Sequence, residues 1–208
     1  MTPLQDLQRR LMAGAMICEY TDPRGHQMLC EEESRLAIAR TLESLGYQLN
    51  SLGEGSVYFL CEQDTPSEAA VSQAMLNIMR GAGPIMQLFE ALVRTAGDDR
   101  VFGAGAILDK PVLLARLSEQ DTLSKNLKTV VRDMMRTNAK LDSNTAVLDR
   151  AFTRLEDEGY IKVEDRERER YRVTGKICYL EQVLDYIAEQ AIIDESDETL
   201  VDQAEMSV

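Results

Sequence analysis

The 208-residue chain carries 23 basic and 36 acidic side chains, giving a net charge of −13 at pH 7, and 44% of its residues are apolar. This length and apolar content are enough for one large domain or two small ones. The acidic balance argues against tight, autonomous nucleic-acid binding, which depends on Lys and Arg. No stretch approaches the ~20 apolar residues of a membrane span, and residues 1–10 lack the apolar run of a signal peptide, so we expect a cytoplasmic protein.

The first third of the chain predicts helices followed by a β-hairpin. Apolar residues recur at helical spacing over 4–17 and again over 33–45. Gly46 can take the left-handed conformation that ends a helix. Two short strands then flank the turn 52–56, which predicts a wing. This wing carries Glu54 and no basic residue, so we do not expect it to bind DNA.

The middle of the chain predicts further helices. An amphipathic helix is expected over 67–80, and the sequence Ala82-Gly83-Pro84 is expected to break it. Helical spacing then returns over 84–95, 112–118 and 123–135.

The last third repeats the pattern of the first. A helix over 143–158 runs into a glycine, two strands flank a charged turn at 165–169, and a terminal helix is predicted over 177–193. The segment 194–208 holds six acidic residues and no basic one, which predicts a solvated, mobile tail.

A repeated sequence pattern relates the first third of the chain to the last. The pattern L-E-x-x-G-Y occurs at 42–47 and at 155–160, 113 residues apart, and Tyr58 and Tyr171 follow at the same offset. Helix, strand, turn and strand form the second half of a winged-helix domain, so two similar units are implied. We therefore predict an α+β, mainly helical fold with tandem winged-helix domains and small β-hairpin wings. The predicted division is a first winged-helix domain at 1–66, a connecting helix at 67–83, a second winged-helix domain with its terminal helix at 84–193, and the tail at 194–208.

Residue types that carry catalysis or bind metals are sparse. The four cysteines are widely spaced without a C-x-x-C pair, so we expect buried thiols. The single histidine, His26, and Cys30 form a minor candidate for a shared metal. Gly103-Ala104-Gly105 lacks the third glycine of a dinucleotide-binding loop, and neither a Walker A motif nor a paired nucleophile and base is found. We predict no catalytic activity, no cofactor and no metal.

Basic residues are concentrated in one part of the chain. Residues 125–176 carry 13 basic and 10 acidic side chains. Arg150 and Arg154 are four apart on the polar face of the predicted helix 143–158, where they would point away from the domain. Further basic residues at helical spacing on the preceding helix are Lys125, Lys128, Arg132 and Arg136. Contact with nucleic acid and a solvated face with local ion pairs, for example to Asp133, Asp149 and Asp157, both remain open.

The second wing is highly charged. Strict alternation over 165–172 would place arginines on one side of an extended strand and carboxylates on the other, unless a hairpin tip interrupts it. A soluble loop tip and a wing near a DNA groove or backbone are the two interpretations. In the second interpretation, Arg166 and Arg168 are candidate contacts.

The tandem units, the acidic balance and the acidic tail resemble the kite subunits, the tandem winged-helix partners of kleisins in bacterial SMC complexes. Within that group the sequence is most similar to MksE, the MukE-like condensin subunit. The resemblance extends over 4–193, and it is carried by the motifs at 42–47 with 57–60 and at 155–160 with 171–173.

The resemblance implies a cytoplasmic, nucleoid-associated homodimer. Such a subunit binds the central segment of an MksF-like kleisin, which in turn holds an MksB-like SMC ATPase, and ATP hydrolysis belongs to that ATPase. The implied role is chromosome condensation and segregation or defence against plasmids, which the sequence does not separate. The resemblance also implies DNA contact within the complex, weak or absent for the isolated subunit, through basic residues of the second winged helix, which here are Lys140, Arg150, Arg154 and Lys162.

The alternative is a dimeric winged-helix transcription regulator that reads a palindromic site. Its first recognition helix would present Arg35 and Arg40 among Glu31, Glu32 and Glu33. That acidic surrounding disfavours base reading.

Overall fold

The computed structural model describes residues 2–63, 68–97, 103–135, 143–183 and 185–186. Two units follow each other along the chain, and each combines helices with a three-stranded antiparallel sheet. The elements of the first unit are α1 (Pro3–Met12), β1 (Ile17–Cys18), α2 (Pro23–Cys30), α3 (Glu32–Glu43), β2 (Tyr47–Leu52) and β3 (Val57–Glu62). Those of the second are α4 (Glu68–Ala96), β4 (Ile107–Asp109), α5 (Lys110–Glu119), α6 (Asp121–Met135), α7 (Asn144–Asp157), β5 (Ile161–Asp165), β6 (Arg170–Val173) and α8, a helix over 176–183.

The first unit has winged-helix topology. A capping box between Thr2 and Gln5 starts α1, and Asp22 caps α2 by accepting a hydrogen bond from the N–H of Gly25 at 3.1 Å. The sheet order is β1-β3-β2, so the wing hairpin β2–β3 is extended by the short strand β1. The buried residues that hold this unit together are Leu7, Leu11, Ile17, Leu29, Ile38, Leu42 and Tyr58.

The second unit repeats this topology around a larger core. Its sheet order is β4-β6-β5, and α5 and α7 precede the wing as α2 and α3 do in the first unit. Helix α6 is an additional element between α5 and α7, and its apolar face packs on α4. The α+β, mainly helical tandem winged-helix fold predicted from the repeat is therefore confirmed.

Several predicted boundaries were wrong. The helix expected over 4–17 ends at Met12, because Ile17 and Cys18 pair with β3 as a strand. Helix α2 was not predicted, since it is only eight residues long and contains a glycine and a proline. The described parts of the terminal helix are 176–183 and 185–186, and the segment 194–208 lies outside the described residues.

The break predicted at Ala82-Gly83-Pro84 was also wrong. Helix α4 runs without interruption from Glu68 to Ala96 with Pro84 inside it. A proline there removes one helical hydrogen bond at a cost of about 3 kcal/mol. Burial of Ala82, Ile85 and Leu88 around it offsets this cost. The division into domains at 66 and 83 stays a prediction.

The two units contact each other at a joint, which is formed by Cys18, Val57 and Phe59 of the first unit and Gly175 and Tyr179 of the second. The Sγ of Cys18 on β1 accepts a hydrogen bond from the N–H of Gly175 at 3.3 Å. Phe59 on β3 packs edge-on against Tyr179 of α8, with ring centroids 5.5 Å apart. A Cβ on Gly175 would lie 2.3 Å from a methyl group of Val57, which is fully buried. The glycine therefore permits an approach between the units that any larger residue would prevent.

Candidate nucleic-acid and partner interface

Helix α7 occupies the position of the recognition helix in the second unit. The Ser143 hydroxyl caps it by accepting from the N–H of Ala146 at 3.1 Å. The Asn144 amide donates to the carbonyl of Leu117 at 3.1 Å and its oxygen accepts from the Ser124 hydroxyl at 2.6 Å. These contacts fix the start of α7 against the end of α5 and the start of α6. The face of α7 that is buried in the core consists of Val147, Leu148, Ala151, Phe152 and Leu155.

The polar side of α7 presents the two predicted arginines. Arg150 is half-buried and Arg154 is exposed, and they lie one helical turn apart. The Nη2 of Arg154 lies 2.6 Å from a carboxylate oxygen of Glu158. This pair is solvent-exposed and therefore weak. Half of the Arg154 side chain is therefore accessible to solvent despite the pair.

A buried lysine links α7 to the second wing. Lys110 begins α5, and its side chain is 10% exposed. Its Nζ lies 2.7 Å from the carboxylate of Asp149 on α7 and also donates to Glu169 in the wing. Burial opposes the charge, but the hydrogen bonds to Asp149 and Glu169 raise the pKa of Lys110 above its ordinary value. The lysine stays cationic and holds helix and wing in one arrangement.

The tip of the second wing is a tight turn. The Asp165 carboxylate accepts from the N–H groups of Glu167 and Arg168 at 3.0 and 3.1 Å. Glu169 follows with a φ of 49°. The turn interrupts the alternation predicted for 165–172. Arg166 and Arg168 are exposed at the tip, and the Nε of Arg168 lies 3.7 Å from Asp165.

The remaining wing arginines are held in ion pairs. Arg170 lies 2.9 Å from the carboxylate of Asp109. Arg172 binds both carboxylate oxygens of Glu164 at 2.7 Å and donates to the carbonyl of Gly105 at 3.0 Å. The hydrogen bond from Arg172 lowers the pKa of Glu164. Arg172 also lies over the ring of Tyr20 in the first unit, 5.6 Å from its centroid. Arg170 and Arg172 therefore serve the packing of the wing.

The structure separates the six predicted contact residues into groups. Arg150 and Arg154 lie on α7, and Arg166 and Arg168 lie at the wing tip. The Nζ of Lys162 lies 3.4 Å from the carbonyl of Thr21 in the first unit, so this lysine belongs to the joint. Lys140 lies outside the described residues.

The network around Lys110 was missed from the sequence. Its partner Glu169 is 59 residues away, and a lysine followed by proline at the start of a helix carries no signal of burial. The position of Asp109, which caps α5 by accepting from the N–H of Val112 at 3.2 Å, is the feature that places Lys110 at the base of the wing.

The expectation of buried thiols holds for one of the four cysteines. Cys18 is buried, Cys178 is half-buried, and Cys30 and Cys61 are exposed. The Sγ of Cys30 lies 3.7 Å from Nδ1 of His26, while Nε2 of His26 lies 2.9 Å from the carbonyl of Gly55. Within the described residues, no group of three or more His, Cys, Asp or Glu side chains is placed to hold a metal ion.

An open groove of about 540 Å³ lies along the joint, and its lining combines side chains of both units. The residues that line it are Glu19, Tyr20, Pro23, Lys162, Val163, Glu164 and Arg172. The lining is mixed in charge and includes residues of strand β5, which is an edge of the second sheet.

In the described part of the chain, none of the helices is both long and apolar enough to cross a membrane.

The comparison with protein families gives a match over most of the chain. The family model described as MksE, condensin complex protein MksE, matches residues 2–184. The matched region includes both winged-helix units, the joint between them and the described part of α8 up to 183. The comparison with curated proteins gives no match.

Proposed function

The chain belongs to the MksE family of condensin complex proteins, and from this premise we propose that it is a non-catalytic kite subunit that binds a kleisin. As a family member it is an accessory subunit of a condensin complex. The kleisin, of the MksF type, would connect it to an MksB-type SMC ATPase, which would hydrolyse ATP. The subunit would act at the nucleoid in the cytoplasm, in chromosome organisation and segregation or in plasmid defence.

The observation that carries this proposal is the extent of the family match. It begins at residue 2 and ends at residue 184, so it spans the tandem arrangement and not a single winged helix, a module found in many regulators. The packing of the two units through Cys18, Val57 and Gly175 supports a tandem unit that acts as one scaffold.

We place the kleisin segment on the first unit or along the joint. The groove lined by Tyr20 and Arg172 offers an aromatic ring, charges of both signs and an adjacent edge strand. These features suit an extended peptide that adds backbone hydrogen bonds to a sheet edge.

We place DNA at α7 and at the tip of the second wing. Arg150 and Arg154 on one side and Arg166 and Arg168 on the other are the candidate phosphate contacts. The net charge of −13 predicts weak DNA binding by the isolated chain. Contact with DNA is therefore expected when the complex holds DNA against this surface.

We propose that this subunit forms a homodimer in the complex.

The test is co-purification of the tagged chain from its native host at moderate salt, beside the double variant Arg150→Glu and Arg154→Glu. A kleisin and an SMC ATPase are expected with both proteins, because the two arginines lie away from the joint. Recovery of specific DNA fragments without those partners, lost in the double variant, would overturn the proposal and favour a winged-helix transcription regulator.

A further inference from the structure

Strand β2 forms an open edge of the first sheet. The strand order is β1-β3-β2, so among the described strands β2 has β3 as its neighbour on one side and none on the other. Open edges are usually protected by lysine, proline or a bulge, because their backbone groups otherwise pair with another chain. The six residues Tyr47–Leu52 contain no charge and no proline, and their register with β3 is unbroken. In the described part of the chain this edge has none of these protections, and one side chain contacts it, since the Gln63 amide donates to the Tyr47 carbonyl at 3.4 Å.

The alternation of hydrogen-bonded and non-hydrogen-bonded pairs in the β2–β3 hairpin identifies the backbone groups on the side of β2 that faces away from β3. The N–H of Gln63 donates to the carbonyl of Gly46 at 2.9 Å, so these two residues form a hydrogen-bonded pair next to the strands. Hydrogen-bonded and non-hydrogen-bonded pairs alternate along an antiparallel ladder. The residues whose N–H and C=O groups point away from β3 are therefore Tyr47, Leu49 and Ser51.

We propose that β2 pairs with β2 of a second copy of the chain, antiparallel and across a two-fold axis at Leu49. This inference rests on the homodimer of the proposed function and names its surface. The axis at Leu49 places Leu49 opposite Leu49 of the copy and Tyr47 opposite the copy's Ser51. All outward-facing backbone groups of the strand are then paired, which no shifted register achieves. The two sheets become one continuous sheet of six strands.

The side chains of β2 are self-complementary in this register. Tyr47 and Leu49 pack against the core of the first unit. When they pair with Ser51 and Leu49 of the copy, the apolar layers of the two units would become continuous. The large ring of Tyr47 would lie opposite the small Ser51, and the amides of Gln48 and Asn50 would face each other. An uncharged strand produces no like-charge repulsion when it meets itself. A second copy is therefore the occupant that fits the edge without further assumptions.

An exposed apolar side chain lies at the start of this edge. Leu45, two residues before β2, is 54% exposed. In the proposed register Leu45 lies opposite the copy's Gly53, so the dimer would cover part of this side chain. The strand contact alone buries little area, and Leu45 supplies additional apolar contact of the kind that a specific interface requires.

The first experiment is sedimentation velocity on the full-length chain across a concentration series, with Ser51→Pro and Ser51→Ala. Proline at an outward-facing edge position removes the external donor and leaves the β2–β3 ladder intact. We expect Ser51→Pro to raise the dimer dissociation constant at least tenfold and Ser51→Ala to leave it within about twofold. Circular dichroism checks that both variants retain the helical content of the wild type.

The second experiment tests the register by disulfide formation with diamide as the oxidant, in a background with Cys30→Ser and Cys61→Ser. Leu49→Cys would meet its copy at a Cα separation of about 5.5 Å, within the range that a disulfide spans. The matched control Gln48→Cys lies on the diagonal, about 7–8 Å from its copy, which is too far. We expect a covalent dimer from Leu49→Cys and little from Gln48→Cys.

The outcomes separate this inference from the function on which it rests. Two results would overturn pairing through β2. One is a dimer that Ser51→Pro leaves intact. The other is a wild-type chain that stays monomeric at tens of micromolar, roughly the range of dissociation constants of weak complexes. If Ser51→Pro abolishes kleisin co-purification but not dimerisation, the edge belongs to the kleisin and the inference is wrong. Loss of the dimer with the kleisin still bound supports it.

Discussion

The Nζ of Lys110 lies 2.7 Å from the carboxylate of Asp149, and the same nitrogen donates to Glu169. One buried cation thus connects the start of α5, the recognition-type helix α7 and the end of the wing turn. Asp149 is 53% exposed and Glu169 is 49% exposed, so both carboxylates keep access to water. The geometry of the candidate DNA surface depends on a residue that is itself hidden from solvent.

Lys110→Met should lower the free energy of unfolding by about 1–2 kcal/mol, less than a fully buried pair would lose, because the two carboxylates can be rehydrated. Chemical denaturation measures the change. The control is Lys125→Met, an exposed lysine on α6, for which a change within about 0.5 kcal/mol is expected. Equal losses in both variants would show that Lys110 does not connect helix and wing.

From neutral pH upward, the contribution of Lys110 should disappear only at strongly alkaline values. Its pKa is raised in the folded protein, so the stabilisation is fully present below the ordinary lysine value and is lost as the pH rises through the folded-state pKa. The difference in unfolding free energy between wild type and Lys110→Met should therefore stay constant from neutral pH up to the ordinary lysine value and shrink above it. A difference that shrinks between pH 6 and pH 8 would contradict this assignment.

Gly175→Ala should destabilise the joint by about 1–3 kcal/mol, the usual cost of overpacking. The added Cβ would lie 2.3 Å from the Cγ2 of Val57 and 3.0 Å from the Cβ of Cys18. Both neighbours are buried, and Val57 has a stiff β-branched side chain. Thermal unfolding of wild type and variant measures the loss.

Gly103→Ala is the matched control for that substitution. Nothing lies within 4 Å of a Cβ at Gly103, so this variant should unfold as the wild type does. A Gly175→Ala protein as stable as Gly103→Ala would mean that the two units are not in contact at Gly175.

The sequence predicted the two units because their signals are local. The glycines after α3 and α7, Gly46 and Gly159, have φ values of 83° and 76°, as expected where a helix ends and a wing begins. Contacts between distant segments carry no such signal. Lys162 matched the family's basic positions, yet it extends toward Thr21, and the long helix α4 passes through Pro84 because tertiary burial outweighs a local breaker.

The four cysteines should react at clearly different rates with a maleimide at neutral pH. Cys30 and Cys61 are exposed and should react first. Burial raises the pKa of Cys178, so its thiolate is scarce and its reaction should be slow and accelerate with increasing pH. Cys18 is 2% exposed in the joint and should react only on unfolding. Mass spectrometry of tryptic peptides over time resolves the order, and rapid labelling of Cys18 would contradict the packed joint.

The reconstituted complex should lose DNA affinity when the arginines of α7 are reversed. Arg150→Glu with Arg154→Glu should weaken binding to duplex DNA at least tenfold and reduce the slope of log affinity against log salt by about 1–2, since each phosphate contact contributes about 0.9. Arg9→Glu is the matched control, because this arginine lies on α1 of the first unit with its side chain 71% exposed, and its effect should stay within about threefold. A loss of equal size per charge at all three positions would mean that net charge, and not the surface of α7, governs DNA binding.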